Sequence, residues 1–390
     1  MPVPNRLAAL QPEMAEWRQT IHRTPELCYE ERATSDYVAA KLAEWGIEVH
    51  RGLGVTGLVG VLRNGTSTRS IGLRADMDAL PMSEETGLPY ASQVPGKMHA
   101  CGHDGHTAML LGAARHLAET RNFDGTVHFI FQPAEEGGAG ARAMIQHGLF
   151  SRFPCDSVFG VHNDPNLELG QAAVVAGPVL AASDRVSIAI TGKGGHAARP
   201  HQAVDPIVVG AQIVVAMQAL VARRVDPLDS AVISLCQFHA GSASNVIPET
   251  AEIKGTVRTL RPETQDEMER LITATAQHVA AMNDAQVVVE YGRGYPPTVN
   301  HEAETERAAL AAAKVLGDGG VIRKRPPNMG GEDFSFMLLE RPGCFVKLGQ
   351  RQGAKGAVSL HNPRYDFNDD LLPVGAAFFA ALAEQELPRG

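Results

Sequence analysis

Ala108-Met-Leu-Leu-Gly-Ala-Ala-Arg-His-Leu-Ala-Glu-Thr120 has helical apolar spacing, and shortly after it Thr126-Val-His-Phe-Ile-Phe131 reads as a buried strand. Upstream, residues 5–21 and 35–46 are spaced as helices, the second stopped by Gly46. Residues 55–62, 70–76 and 157–161 are short apolar runs. Helices alternating with strands of this kind predict an α/β fold, with a mostly parallel sheet covered on both faces.

From Asp184 the rhythm changes. Residues 185–191 alternate as a strand, 205–224 form a helix and 231–239 a strand. A second alternating strand follows at 250–260, then a helix at 263–283 and a strand at 286–291. This β-α-β-β-α-β order is the split βαβ, ferredoxin-like α+β unit. After Gly294-Tyr-Pro-Pro the first rhythm resumes and ends in a helix at 372–385. The reading is a discontinuous α/β domain, residues 1–183 and 296–390, with residues 184–295 inserted into it. One continuous large α/β domain is the alternative. The length of 390 residues suits two domains at roughly 150 residues each.

Hydrophobic residues at 44% and charged residues at 20% describe an ordinary globular chain, neither disordered nor fibrous. Thirty-five basic against 44 acidic residues, with no basic run, argue against nucleic acid as a partner. Met1-Pro-Val-Pro-Asn-Arg6 has no apolar region behind a basic start, so no signal peptide is expected. The most apolar stretch, 203–222, carries Asp205, Gln212 and Gln218, and Asp205-Pro206 reads as a helix cap followed by Pro at the first helical position. It is expected to be a buried amphipathic helix, not a membrane span. Five scattered cysteines (28, 101, 155, 236 and 344) without a C-x-x-C pair indicate a reduced, cytoplasmic setting.

Polar residues suited to metal binding follow the apolar runs. They are Asp76-Met-Asp78, Met98-His-Ala-Cys-Gly-His-Asp-Gly-His106, Gln132-Pro-Ala-Glu-Glu136, His162-Asn163 and, after Ala357-Val-Ser-Leu360, His361-Asn-Pro363. In open α/β sheets ligands gather outside the carboxyl ends of strands, so these five segments are expected to converge. Singly, each has an ordinary explanation: a turn residue, a helix cap, a solvated acidic loop, a small buried cysteine. Three imidazoles and a thiol within eight residues, with Gly102 and Gly105 relaxing the backbone, are better explained as a metal loop. Thiolate, imidazole and carboxylate together suit zinc, manganese, cobalt or nickel.

These segments, with His22-Arg-Thr-Pro-Glu-Leu27, Gly194-Gly-His-Ala-Ala-Arg-Pro-His201 and Gly330-Gly-Glu-Asp-Phe334, stand in an order that resembles the M20 metallopeptidase family. The resemblance is to its amidohydrolase branch of hippurate hydrolases, N-acyl-amino-acid amidohydrolases and plant auxin-conjugate hydrolases. It implies a two-metal catalytic domain with an inserted lid and dimerisation domain. It further implies Cys101, His103, Glu136, His162 and His361 as ligands of two divalent ions, with Cys101 bridging. Glu135 would be the general base and Asp78 would orient a ligand. In the inserted domain, Asn245 and Arg258 match positions that contact substrate, and His196 matches a histidine that reaches the partner subunit's site. A homodimer joined through the lid is the implied assembly. Carboxypeptidase and aminoacylase relatives have a ligand His at Asp76 and a bridging Asp at Cys101, which leaves the role of Asp76 open.

The implied activity is metal-dependent hydrolysis of N-acyl amino acids to a carboxylate and a free amino acid. Dipeptidase or carboxypeptidase action is the alternative on substrate. A cysteine amidase using Cys101 and His103, or a non-catalytic binding relative, are the alternatives on class.

Overall fold

The run 126–131 falls within the strand Gly125–Gln132, third from the edge of an eight-stranded sheet. The sheet order is Glu48–Leu53, Gly57–Asn64, Gly125–Gln132, Ser70–Asp76, Ser157–Glu168, Gly343–Arg351, Ala172–Ala173 and Val321–Ile322. Its middle four strands are mutually parallel. The strands Glu48–Leu53 and Gly57–Asn64 are added antiparallel. Ser70–Asp76 is buried along its whole length, as expected of a strand covered on both faces.

One layer over this sheet is built from the helices Asn5–Arg23, His103–Thr120 and Leu372–Glu386. They pack closely because a Cβ at Gly112 would run into the Met14 sulfur, and one at Gly375 into the Met109 sulfur. Phe129, Phe131 and Phe159 are fully buried, and each such ring stabilises the fold by about 1.5–3 kcal/mol through lost apolar exposure.

The structure, a computed structural model, describes residues 3–389 in two units. The first holds the chain up to Gly177, Val299–Pro326 and everything from Asp333 onward. The second holds Pro178–Thr298 and the short segment Pro327–Glu332. Residues 327–332, expected in the first unit, thus belong to the second. Local bonds explain the difference: Ala181 donates its N–H to the Gly330 carbonyl at 2.9 Å.

The second unit has an antiparallel sheet in the order Ala231–Ala240, Thr250–Thr259, Ser183–Thr191, Gln286–Tyr295. The helices Pro206–Arg224 and Pro262–Met282 pack on it through one apolar cluster that includes Val209, Ile213, Met217, Met268 and Ile272. Asp205 caps the first of these helices by accepting the Ile207 N–H at 2.9 Å, and Pro206 opens it. That helix is not buried in the way its composition implies. Val209, Ile213 and Met217 face the sheet, while Ile207, Val208 and Val215 are exposed, Val215 by 72%. It is apolar on both faces, and the sheet occupies only one.

Candidate metal centre

Gly102 makes the turn that delivers Cys101 and His103. It has a φ of +93°, and a Cβ there would collide with the Asn163 side chain and the Tyr365 hydroxyl. The following helix begins at His103, five residues earlier than residue 108, so this ligand candidate sits on a rigid first turn. The expected positions of two other residues need correction. His162 is not at a strand end, because its strand runs on to Glu168. His361 follows no strand: residues 357–360 are irregular, and His361 takes a φ of +61° in a turn tied to the cysteine loop by its N–H bond to the Ala100 carbonyl, 2.8 Å.

Two triads of donors form around one sulfur. Cys101, His103 and His162 offer atoms within 4.8 Å of one another, and so do Cys101, Glu136 and His361. Glu135 falls in a third group with His103 and Glu136. Cys101 Sγ lies 3.4 Å from His162 Nε2, and Glu136 Oε1 lies 3.1 Å from His361 Nε2. Burial pushes the Cys101 thiol up to about 12, reinforced by the charge of Glu136 and opposed by His103. A nucleophilic thiolate needs the opposite shift, so the cysteine-amidase alternative is disfavoured, whereas a cation at the sulfur would deprotonate it outright.

The imidazoles are oriented as ligands are. His162 donates Nδ1–H to the Asn163 carbonyl at 2.7 Å, which leaves the Nε2 lone pair for the cluster. His103 Nδ1 faces Asp78 Oδ1 at 3.3 Å, while its buried Nε2 has no hydrogen-bond partner among the described residues, with Asp76 Oδ2 at 3.7 Å. A buried imidazole nitrogen without a hydrogen bond, among a thiol and carboxylates, fits a divalent cation. Two triads sharing one sulfur fit two.

Asp78 gathers several partners at once. Besides facing His103, it accepts the Glu135 N–H at Oδ1 and the Glu136 N–H at Oδ2, both at 2.9 Å. Burial raises its carboxyl, but His103 and these two amides outweigh that and hold it low. Asp76 is differently placed. Its Oδ1 meets His106 Nδ1 at 2.5 Å and its Oδ2 meets Arg74 Nη1 at 2.8 Å. Burial again raises, yet Arg74, His103 and His106 hold Asp76 well below the usual range. Its oxygens are engaged by His106 and Arg74, although Asp76, His103 and His106 also bring donor atoms within 4.8 Å of one another. His106 is likewise engaged, with Nε2 at 2.7 Å from Asn163 Oδ1.

The sequence reading gave no role to a buried network behind the cysteine loop. Arg18 is fully buried, with Nη1 3.2 Å from Asp104 Oδ2, while His22 Nδ1 meets the same oxygen at 2.8 Å. Asp104 is the helix residue next to His103. The available signal was a basic residue on the apolar stripe Leu7, Leu10, Met14, Trp17, Ile21.

In the second unit His196 lies in the two-residue strand Gly195–His196, paired with Val246–Ile247. The Ala197 N–H bonds to the Asn245 carbonyl at 3.2 Å, so His196 and Asn245 are neighbours. His196 is exposed, and its Nδ1 accepts the Ala198 N–H at 3.1 Å, so in the neutral ring Nε2 is the donor. Arg258 is half-buried on another sheet, opposite Val232, and has no hydrogen-bond or ion-pair partner among the described residues.

A two-metal hydrolase is the class that this fold and cluster define. The model of peptidase family M20/M25/M40 matches residues 72–385. The chain is 43% identical to a hippurate hydrolase of Campylobacter jejuni, covering 96% of each chain. It is 40% identical to an IAA-amino acid hydrolase of Arabidopsis thaliana, over 95% of this chain and 84% of that one. A crystal structure of a dinuclear metal-binding M20 peptidase from Bacillus subtilis superposes with a TM-score of 0.85 at 35% identity, covering 96% and 98%. The chain belongs to peptidase family M20/M25/M40.

Proposed function

We propose that this enzyme hydrolyses the amide bond of N-acyl amino acids of the hippurate type, releasing a carboxylate and a free amino acid. The observation that carries the reading is the sharing of Cys101 between two donor triads, with Glu135 beside one of them. Cys101, His103 and His162 would hold one ion, and Cys101, Glu136 and His361 the other. When bound, two such ions would supply Lewis acidity and ease deprotonation of the attacking water. Glu135 takes the proton of the attacking water and passes it to the leaving nitrogen. Asp78 keeps His103 turned towards the centre and fixes the backbone of both glutamates. His196 donates from Nε2 to the developing oxyanion, and Arg258 and Asn245 bind the amino-acid carboxylate.

The assembly proposed is a homodimer through the second unit. The exposed apolar face with Ile207, Val208 and Val215, together with the exposed second half of the edge strand Ala231–Ala240, supports it. Zinc, manganese, cobalt and nickel all suit the donor set, and the cytoplasm suits its free thiols. The reading is tested with benzoyl-, acetyl-, fatty-acyl- and indoleacetyl-amino acids and dipeptides, under each metal and after EDTA. Chelation should abolish turnover, and acyl-amino acids should outpace dipeptides. Turnover that survives EDTA, or a preference for dipeptides, overturns it.

A further inference from the structure

We infer that Glu31 is a positioning residue, holding the turn that presents Glu135 to the metal pair. The inference rests on Glu135 being the general base. The strand Gly125–Gln132 is followed by Pro133, and the next residue, Ala134, has a φ of +55°. A left-handed alanine costs about 1–2 kcal/mol, so this turn must be imposed by its surroundings.

Three successive amides show what imposes it. Ala134 donates its N–H to Glu31 Oε1 at 2.8 Å. Glu135 and Glu136 donate theirs to the two oxygens of Asp78 at 2.9 Å. The turn is thus held by two carboxylates from distant parts of the chain. Asp78 serves the metal centre as well, through His103. Among the described residues Glu31 bonds no ligand candidate; it bonds the residue before the base and is braced by the Thr56 hydroxyl.

Its setting is an expensive one. Glu31 is fully buried at the start of the helix Arg32–Glu44, and no cation pairs with it among the described residues. Burial pushes its carboxyl up to about 7, although the Thr56 and Ala134 bonds pull the other way. A carboxyl buried without a counter-ion destabilises the fold, and the contact it makes is to the Ala134 amide. Loosening that amide would let Glu135 wander, and a misplacement of about 1 Å is enough to cost on the order of 100-fold in rate.

The test compares Glu31→Ala, Glu31→Asp and Glu31→Gln, with Glu135→Gln in parallel, on one N-acyl amino acid. Ala removes the acceptor and Asp withdraws it by one methylene, leaving a carboxylate in case the Ala variant does not fold. Gln can still accept the Ala134 N–H and donate to Thr56. Ala and Asp should lower kcat about 10- to 100-fold, with KM within about 3-fold and wild-type metal content; Gln should recover to within about 5-fold. Wild-type kcat in the Asp variant, Gln as poor as Asp, or a loss that tracks metal content would each overturn the inference. Normal turnover by Glu135→Gln would instead overturn the base assignment on which it rests.

Discussion

Cys101 Sγ stands 3.4 Å from His162 Nε2, and the same sulfur lies within 4.8 Å of donor atoms of Glu136 and His361. A serine hydroxyl there would not deprotonate to bridge two cations as a thiol does. Cys101→Ser should therefore lose at least one ion per chain by elemental analysis. Two tightly held ions in that variant would remove the bridge. Cys28→Ser is the informative control. Cys28 Sγ donates to Asp78 Oδ2 at 3.3 Å, and a hydroxyl can do the same, so metal content should be unchanged.

Glu135 and Glu136 are adjacent yet should fail differently. Glu135→Gln should keep both ions and lose turnover by roughly 10²–10⁴-fold, the usual contribution of a general acid–base group. Glu136→Gln should lose metal instead. Like behaviour of the two variants, in both metal content and rate, would end the separation of base from ligand.

For Arg258, the expected effect depends on the substrate. Arg258→Ala should raise KM sharply for an N-acyl amino acid, because a guanidinium fork suits its carboxylate. The same variant should lose little on the matching amino-acid amide, which lacks that charge. Equal losses on both substrates would exclude Arg258 from carboxylate recognition.

The network beneath the cysteine loop gives a stability prediction. Burial lowers the His22 pKa, but Asp104 outweighs it and Glu84 adds to the rise, leaving it at about 9 against an ordinary 6.5. A raised pKa means the folded chain favours the imidazolium. The stabilisation, on the order of 3 kcal/mol, is full below pH 6.5 and is lost as pH rises through 9. The gap in urea midpoint between wild type and His22→Gln should therefore shrink between pH 6 and pH 10. A gap independent of pH would mean that folding leaves the His22 pKa unshifted, and a gap that widens would mean the fold holds His22 neutral.

Much of the fold was legible where local pattern and tertiary role coincide. Ser70–Asp76 is buried on both faces, so its apolar run identified the strand with its bounds. The cysteine loop was legible because several donors crowd into one short segment. The start of its helix was not. Gly102 and Gly105 look like helix breakers, yet the chain is helical from His103, with Gly105 pressed against the Phe367 ring where no Cβ would fit. The placing of His361 failed for a similar reason. Ala357-Val-Ser-Leu360 has a strand's composition, but a bond to Ala100, far away in sequence, holds a turn there. Arg18 was hidden because its partners, Asp104 and Asp369, are brought to it only by folding. The exposed face of Pro206–Arg224 was hidden because composition reports how apolar a helix is, not what covers it.

That uncovered face bears on His196. The residue belongs to the second unit, apart from the metal cluster's own elements, and its ring presents Nε2 as donor from an exposed strand. If two chains pair through this unit, His196 of one can complete the site of the other. An oxyanion donor acts in the transition state more than in binding, so His196→Ala should lower kcat with a smaller change in KM. Complementation separates a shared site from a self-contained one. Glu135→Gln and His196→Ala chains, each assembled alone, should both have low activity. In a mixed dimer with shared sites, one site carries both defects and the other carries neither, so activity should return to about half of wild type in the mixed species. With self-contained sites every site keeps one defect, and mixing restores nothing. Subunit exchange is followed by native mass spectrometry of isotopically distinct chains. Exchange without recovery of activity would place His196 in its own chain's site or remove it from catalysis.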